Sequence, residues 1–382
     1  MKERNSQHPD YILLGIIIVL ITLGIIILAG ISAPLSQERF GNSSYFLIHQ
    51  IKYGIIPGII FGFLAYKISL SFLKKWSLAL LFLNLIFLGL VFLPGIGTNV
   101  WGASRWIDLG FISFQPSEFL KVSFIIYLAA WLSRADIIRT KSEKKFSRIK
   151  TPQSSFKGLN KTLIPFLLII VLIGLFLIKQ PDVSTLGIIV SVAVLMYFSI
   201  GTPLWHSVFI ILAGLSTLLF LIKTAPYRFN RILALFKPEI DPMGISYQIK
   251  QSLIAIGSGG IFGLGLGMSY QKFGFLPQLM SDSIFSIYAE ETGFIGSSFL
   301  ILLFLLLFWQ GYKLFKKRSD EFSRLLTLGI CSWISIQALV HIGSMIAIFP
   351  LTGIPLPFIS YGGSHLLAEM IGAGILLNIS KS

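Results

Sequence analysis

Residues 11–33 read YILLGIIIVLITLGIIILAGISA, a run with no charge and only Thr22 and Ser32 as polar side chains. As an α-helix such a run extends about 35 Å, enough to cross the roughly 30 Å hydrocarbon core of a bilayer. Comparable apolar windows recur at 46–66, 76–94, 116–133, 162–179, 184–201, 204–223, 285–311, 325–349 and 364–380. The whole chain follows the same line: of 382 residues 54% are apolar and 12% charged, against about 25% charged in an ordinary soluble domain. A water-soluble globule is excluded. The expectation is an all-α polytopic membrane protein, one integral-membrane domain over 1–382 with ten transmembrane helices. Cys331 is the lone cysteine, so an internal disulfide and a cysteine-based metal site are both excluded. Polar sequence rather than a small-residue cleavage site follows the first window, which is also long for a signal-peptide core, so a retained helix is expected.

Charge placement sets the orientation. If both termini and the connections after spans 2, 4, 6 and 8 share one side, that side holds +14 of the total +15. Arg134 to Lys161 supplies nine bases against two acids, and Lys313 to Arg324 five against two. By the positive-inside rule this side, with both termini, is cytoplasmic. The basic balance is therefore topological and does not call for nucleic acid. Lys141 to Lys150 either touches anionic membrane lipids or is a solvated cytoplasmic face.

The extracytoplasmic loop between spans 7 and 8, about 224–284, is far longer than a usual helix connection. Ile232, Leu233, Leu235, Phe236, Leu253, Ile254, Ile256, Phe273 and Phe275 make it too apolar for disorder, and short amphipathic or re-entrant helices are expected. Its glycines 257, 259, 260, 263, 265 and 267 lack G-x-G-x-x-G spacing and a preceding strand. Close packing or approach to a ligand's polar groups suits them better than a nucleotide loop.

Polar residues that could carry chemistry recur at the outward ends of the spans. Arg105, Trp106 and Asp108 precede the fourth span, and Gln115-Pro-Ser-Glu-Phe-Leu-Lys121 opens it. Glu118 and Lys121 fall on one helical face, either as a buried ion pair or as functional groups. Gln180-Pro-Asp182 ends the fifth span as an Asx-capped turn or as part of a site. Arg228 and Arg231, at helical spacing, suit a bridging phosphate, with snorkelling to the interface as the alternative. Asp241 follows them, and Gln271, Lys272 and Pro277 approach the loop's end. Asp282, the only acid from Pro242 to Ala289, is read as an N-cap for the eighth span and, compatibly, as a partly desolvated general base. Glu290, Glu291 and Glu369 are read as structural. His8, His49, His206, His341 and His365 lack zinc-ligand spacing. Asn42-Ser-Ser44 fits a glycosylation sequon by chance as readily as by function.

Several of these stretches together resemble the RodA/FtsW/SpoVE family of bacterial shape, elongation, division and sporulation proteins. They are GASRWIDLGFISFQPSEFLK at 102–121, the Gln180-Pro-Asp182 turn, YRFNR followed by DPMGISYQIKQS, GSGGIFGLGLG at 257–267, and PLPFISYGGS at 355–364. FLPQLMSDSIFSIYAEETGFIG falls where the family carries P-x-x-x-T-D-F-I-F before a helix bearing E-E-x-G. Ser281 and Ser283 replace the usual Thr and Phe, and Asp282 is retained. Lys237-Pro-Glu-Ile departs from the common Asn-Pro-Trp-Glu, and GLGLGMSYQKFGFLP looks closer to the FtsW/SpoVE branch than to RodA.

The resemblance implies a peptidoglycan glycosyltransferase of the bacterial cytoplasmic membrane. Such enzymes polymerise lipid II, an undecaprenyl-diphosphate-linked substrate, beside a class B penicillin-binding transpeptidase. It carries the catalytic carboxylate onto Asp282 and a cationic cavity onto Arg105, Lys121, Arg228 and Arg231, with Glu118 as a cavity residue. Trp106, Gln271 and Lys272 complete the candidate substrate-binding set. A divalent cation, Mg or Mn, could use Asp282, Asp241 or Asp182; no organic cofactor is expected. A lipid II flippase and a non-catalytic scaffold for the transpeptidase are the alternatives.

Overall fold

A computed structural model describes residues 8–100, 103–108, 110, 113–146, 152–202, 204–223, 226–236 and 244–381. Each apolar window falls on a helix. Asp10 caps α1 (Tyr11–Phe40) by accepting the N–H groups of Ile12 and Leu13, and Gly41, at φ 66°, closes it, the left-handed conformation that favours glycine. α2 (Tyr45–Gln50), a π-helical turn (Ile51–Ile55) and α3 (Ile56–Lys67) make one unbroken segment. After these come α4 (Leu70–Leu90), α5 (Pro116–Phe146), α6 (Pro152–Lys179), α7 (Val183–Ser199) and α8 (Leu204–Lys223). α9 (Pro226–Phe236) and α10 (Ile245–Ser258) lie in the long loop, and α11 (Ile284–Lys317), α12 (Glu321–Met345) and α13 (Gly363–Ser380) follow. Among the described residues, five helical segments are by themselves long and apolar enough to cross a membrane: Tyr11–Phe40, Tyr45–Lys67, Leu70–Leu90, Ile284–Lys317 and Glu321–Met345.

Two expectations need correction. The chain is not purely helical: β1 (Gly97–Val100), β2 (Ala103–Asp108) and β3 (Ser113–Phe114) form an antiparallel sheet in that order. Thr98 pairs with Trp106 and Ile107 with Phe114, so the segment carrying Arg105 and Trp106 is a strand. A short polar stretch bounded by Pro94 and Pro116 is free to pair with itself where it cannot extend a helix. Helix also runs past the fourth window, to Phe146, because Arg134 to Phe146 contains neither Gly nor Pro. The tract Lys141 to Lys150 lies outside the described side chains.

The chain divides into two compact units. The first comprises residues 1–66, 213–311 and 334–382, the second 67–212 and 312–333. In the first, α3 and α13 approach so closely that Gly62 lies against the Met370 backbone and Gly374 against Gly62, the small-residue contact that membrane helices use in place of a hydrophobic drive. In the second, Phe124, Leu128, Ala129 and Leu132 of α5 are buried, and Gly329 of α12 admits Ile125 and Met196. Outward faces stay apolar, as at Phe63, Leu78, Phe82 and Phe220, the pattern that lipid rather than water calls for.

α11 is broken at Gly293 (φ 67°, ψ −163°). The glycine tract repairs the break. N–H groups of Leu264 and Gly265 bond to the carbonyls of Glu290 and Glu291, both at 3.0 Å, and those of Phe294 and Ile295 bond to Gly260 and Ile261 at 2.9 and 3.2 Å. Interrupted backbone at membrane depth persists only where protein satisfies it in this way. A side chain at Gly263 would run into the Glu291 carbonyl, so the tract is glycine-rich because two backbones touch.

Candidate functional site

Asp282 sits in a tight turn ahead of α11. Gln278 adopts φ 50°, and its carbonyl accepts the N–H groups of Ser281, Asp282 and Ser283 at 3.1, 3.1 and 3.2 Å. Ser283 donates to Pro277 O at 2.9 Å and accepts from Gln248 of α10 at 3.0 Å. Because α11 starts at Ile284, Ser283 holds the position before its first residue. Asp282, expected as the N-cap, lies one residue before that position.

Its surroundings come from the loop between α12 and α13. A Cβ built on Gly353 would lie 3.5 Å from Asp282 Oδ2. Arg231 of α9 donates from Nη1 to Leu351 O at 3.1 Å. Carboxylate and guanidinium thus converge on the same three residues, Leu351 to Gly353, and both are half-buried. The loop also grips the backbone before Asp282: Ser360 Oγ donates to Ser281 O at 2.8 Å and Tyr361 N–H to Met280 O at 2.9 Å. Tyr361 bonds to His49 Nδ1 at 2.8 Å, and burial pushes its phenol up to about 12.

Lys272 is placed differently from expectation. It is buried, 3.5 Å from Glu291 and bonded to Gly267 O. Glu290 beside it accepts from Ser269 Oγ and from Tyr270 N–H. This polar knot ties the glycine tract to the α11 break, so Lys272 is an internal counter-ion and not an open cation. Gln271, next to it, is half-buried. Asp241 and the side chain of Arg228 lie outside the described residues.

The second unit holds the other candidates. Arg105 on β2 donates from Nε to Gln180 O at 3.1 Å and from Nη2 to Pro181 O at 2.6 Å. The turn it grips is itself fixed: Gln180 donates to Leu88 O at 3.2 Å. Asp182 accepts from Thr185 N–H at 3.3 Å and from Ser117 Oγ at 3.2 Å. Gln180-Pro-Asp182 is therefore both an Asx cap and the rest on which Arg105 is aimed. Trp106 is half-buried on the same strand. Glu118 and Lys121 form an ion pair at 2.8 Å, 4% and 2% exposed, with the ammonium 5.2 Å from the Trp333 ring centre.

Of the three carboxylates expected for a divalent cation, Asp241 lies outside the described residues. Asp182 accepts one hydrogen bond at each oxygen, and among the described residues no three His, Cys, Asp or Glu side chains gather as a metal site. Sequence reasoning missed Gln278, Leu351, Gly353 and Ser360 as parts of the Asp282 environment. Three of them contribute backbone or the absence of a side chain, which residue identity does not advertise; the SYGG turn was the one visible signal.

A family model described as cell cycle protein, FtsW/RodA/SpoVE, matches residues 11–382. Stage V sporulation protein E of Bacillus subtilis is 37% identical over 377 residues, covering 99% of this chain and 98% of its own. A Trichlorobacter lovleyi protein named "Probable peptidoglycan glycosyltransferase FtsW" is 36% identical over 382 residues, covering 99% and 95%. A solved structure described as "Structural coordination of polymerization and crosslinking by a peptidoglycan synthase complex" is similar at TM-score 0.74 and 25% identity, over 97% of both chains. The crystal structure of Thermus thermophilus RodA shares the fold at TM-score 0.67 and 24% identity, over 97% and 96%. With a family model spanning nearly its full length and relatives above 30% identity over whole sequences, the chain belongs to the FtsW/RodA/SpoVE family of cell cycle proteins.

Proposed function

We propose that this chain is a peptidoglycan glycosyltransferase that polymerises lipid II at the outer face of the bacterial cytoplasmic membrane. In this reading the ten apolar helices span the bilayer, both termini are cytoplasmic, and the loop around 224–284 lies outside. A class B penicillin-binding transpeptidase works beside it. The observation that carries the reading is Asp282, a half-buried carboxylate in a rigid turn, sharing the Leu351–Gly353 backbone with the Arg231 guanidinium.

The chemistry fits that pair. Joining an α-linked diphosphate donor to form a β-1,4 product is a single displacement with inversion. Asp282 takes the proton of the acceptor's 4-hydroxyl as its oxygen attacks the anomeric carbon, and the carbon–oxygen bond to diphosphate breaks. Diphosphate leaves as an anion, so the second demand is for positive charge, which the Arg231 guanidinium supplies. Arg105, locked by two carbonyls but with further donors, Trp106 and the Glu118–Lys121 pair have substrate-binding roles in the same reading.

Labelled lipid II incubated with the purified protein and its transpeptidase should yield a glycan ladder on a gel. Monomer that persists at every enzyme concentration would sink the reading. The break in α11 at Gly293 is the feature a flippase would use. Movement of lipid II across vesicles with no ladder would favour that function.

A further inference from the structure

We propose that Glu369 and Ser360 are positioning residues for Asp282, acting through one turn, Leu356 to Ser360. This rests on reading Asp282 as the base. Glu369, on α13, is fully buried. Its Oε2 accepts the Phe358 N–H at 2.7 Å, and its Oε1 accepts from Gln337 Nε2 at 3.2 Å. Gln337 donates to Pro355 O at 3.0 Å as well. The carboxylate and its amide neighbour therefore hold both ends of Pro355–Phe358.

What they hold is strained. Phe358 has φ 64°, a left-handed backbone that a bulky L residue keeps only where its surroundings enforce it. With Phe358 so placed the turn closes: the N–H groups of Ile359 and Ser360 reach Leu356 O at 3.2 and 3.0 Å. The Leu356 N–H bonds back to Ser360 Oγ at 2.8 Å. That hydroxyl has one hydrogen, and it goes to Ser281 O, the carbonyl immediately before Asp282. Tyr361 N–H fixes Met280 O one residue earlier.

The chain of contacts thus runs from a buried carboxylate, through a strained turn, to the two residues preceding the base, while Gly353 of the same loop lies against the base itself. A buried charge is a costly way merely to close a loop. Here it fixes the carboxylate's position, on which proton abstraction depends.

Two variants test this, Ser360→Ala and Glu369→Gln. Glutamine puts an NH2 group where one carboxylate oxygen stood, so a donor then faces the donor of Phe358 or of Gln337 and that contact weakens. Hydrogen exchange reads the turn without reference to activity: amides of Ser281 to Ser283 and Tyr361 should exchange at least about tenfold faster, with α1 and α4 unchanged. Lipid II polymerisation should lose about ten- to a hundredfold in kcat with KM within twofold. Unchanged exchange, or faster exchange with kcat intact or only KM raised, would overturn the proposal. Should Glu369→Gln fail to fold, Ser360→Ala decides by the same criteria. Asp282→Asn, run alongside, separates the two readings: if it polymerises normally the base assignment fails, and exchange still reports whether the turn holds the segment.

Discussion

Consider removing one member of the Glu118–Lys121 pair. The two charges are 2.8 Å apart and 4% and 2% exposed, so neither survivor can turn to water. Stranding a buried charge costs about 3–5 kcal/mol, a factor of roughly 10² to 10⁴ in the folding constant. The two single variants should differ. Glu118→Gln leaves the ammonium facing the Trp333 ring at 5.2 Å, a cation–π contact that offsets about 0.5–2 kcal/mol, whereas Lys121→Met leaves the Glu118 carboxylate, 4% exposed, without the counter-ion it holds at 2.8 Å. Lys121→Met should therefore be the worse of the two. The double variant removes both charges and should return close to wild-type stability, giving a coupling of about 3 kcal/mol in the cycle. Denaturant midpoints of the four proteins in detergent measure this. Singles that unfold with the wild type would refute the burial argument. Polymerisation by the refolded double variant then separates the two readings of the pair: restored turnover means structure alone, lost turnover means that Lys121 also serves substrate.

Gly263→Ala combines a left-handed backbone, φ 82°, with a clash against the Glu291 carbonyl, and should destabilise by about 2–5 kcal/mol; protease cleavage near the Gly293 break should accelerate, and wild-type resistance would contradict the packing account. Alkaline pH gives a third expectation. Burial raises the Tyr361 phenol to about 12 from an unfolded value near 10. Below pH 10 the phenol is protonated in both states and its contribution is whole; between 10 and 12 only the unfolded chain loses its proton, so stability falls as pH rises. Tyr361→Phe should remove that part of the alkaline loss, and an unchanged pH–stability curve over 10–12 would count against it.

The helices were legible because lipid imposes long apolar runs, and every window from Tyr11 to Ser380 carries one. The sheet at Gly97–Phe114 was not, since strands of four, six and two residues carrying Arg105 and Asp108 have too little alternation to register. Nor was the break in α11. EETGFIG reads as continuous helix, and its hydrogen-bond partners, Gly260, Ile261, Leu264 and Gly265, lie some thirty residues earlier, in a glycine tract whose side-chain silence left ligand approach and backbone contact both open. Asp282 stood out as a lone acid at a span's end. The carbonyls of Ser281 and Leu351 that organise it carry no signature in residue type, and Lys272 looked like a free cation until the fold supplied Glu291.

The most direct measurement is the initial rate of lipid II polymerisation by Asp282→Asn, set beside its affinity for lipid II and its unfolding midpoint. The substitution keeps shape and removes the base. The account predicts a folded protein that binds substrate as the wild type does and makes no ladder. Undiminished chain growth would contradict it.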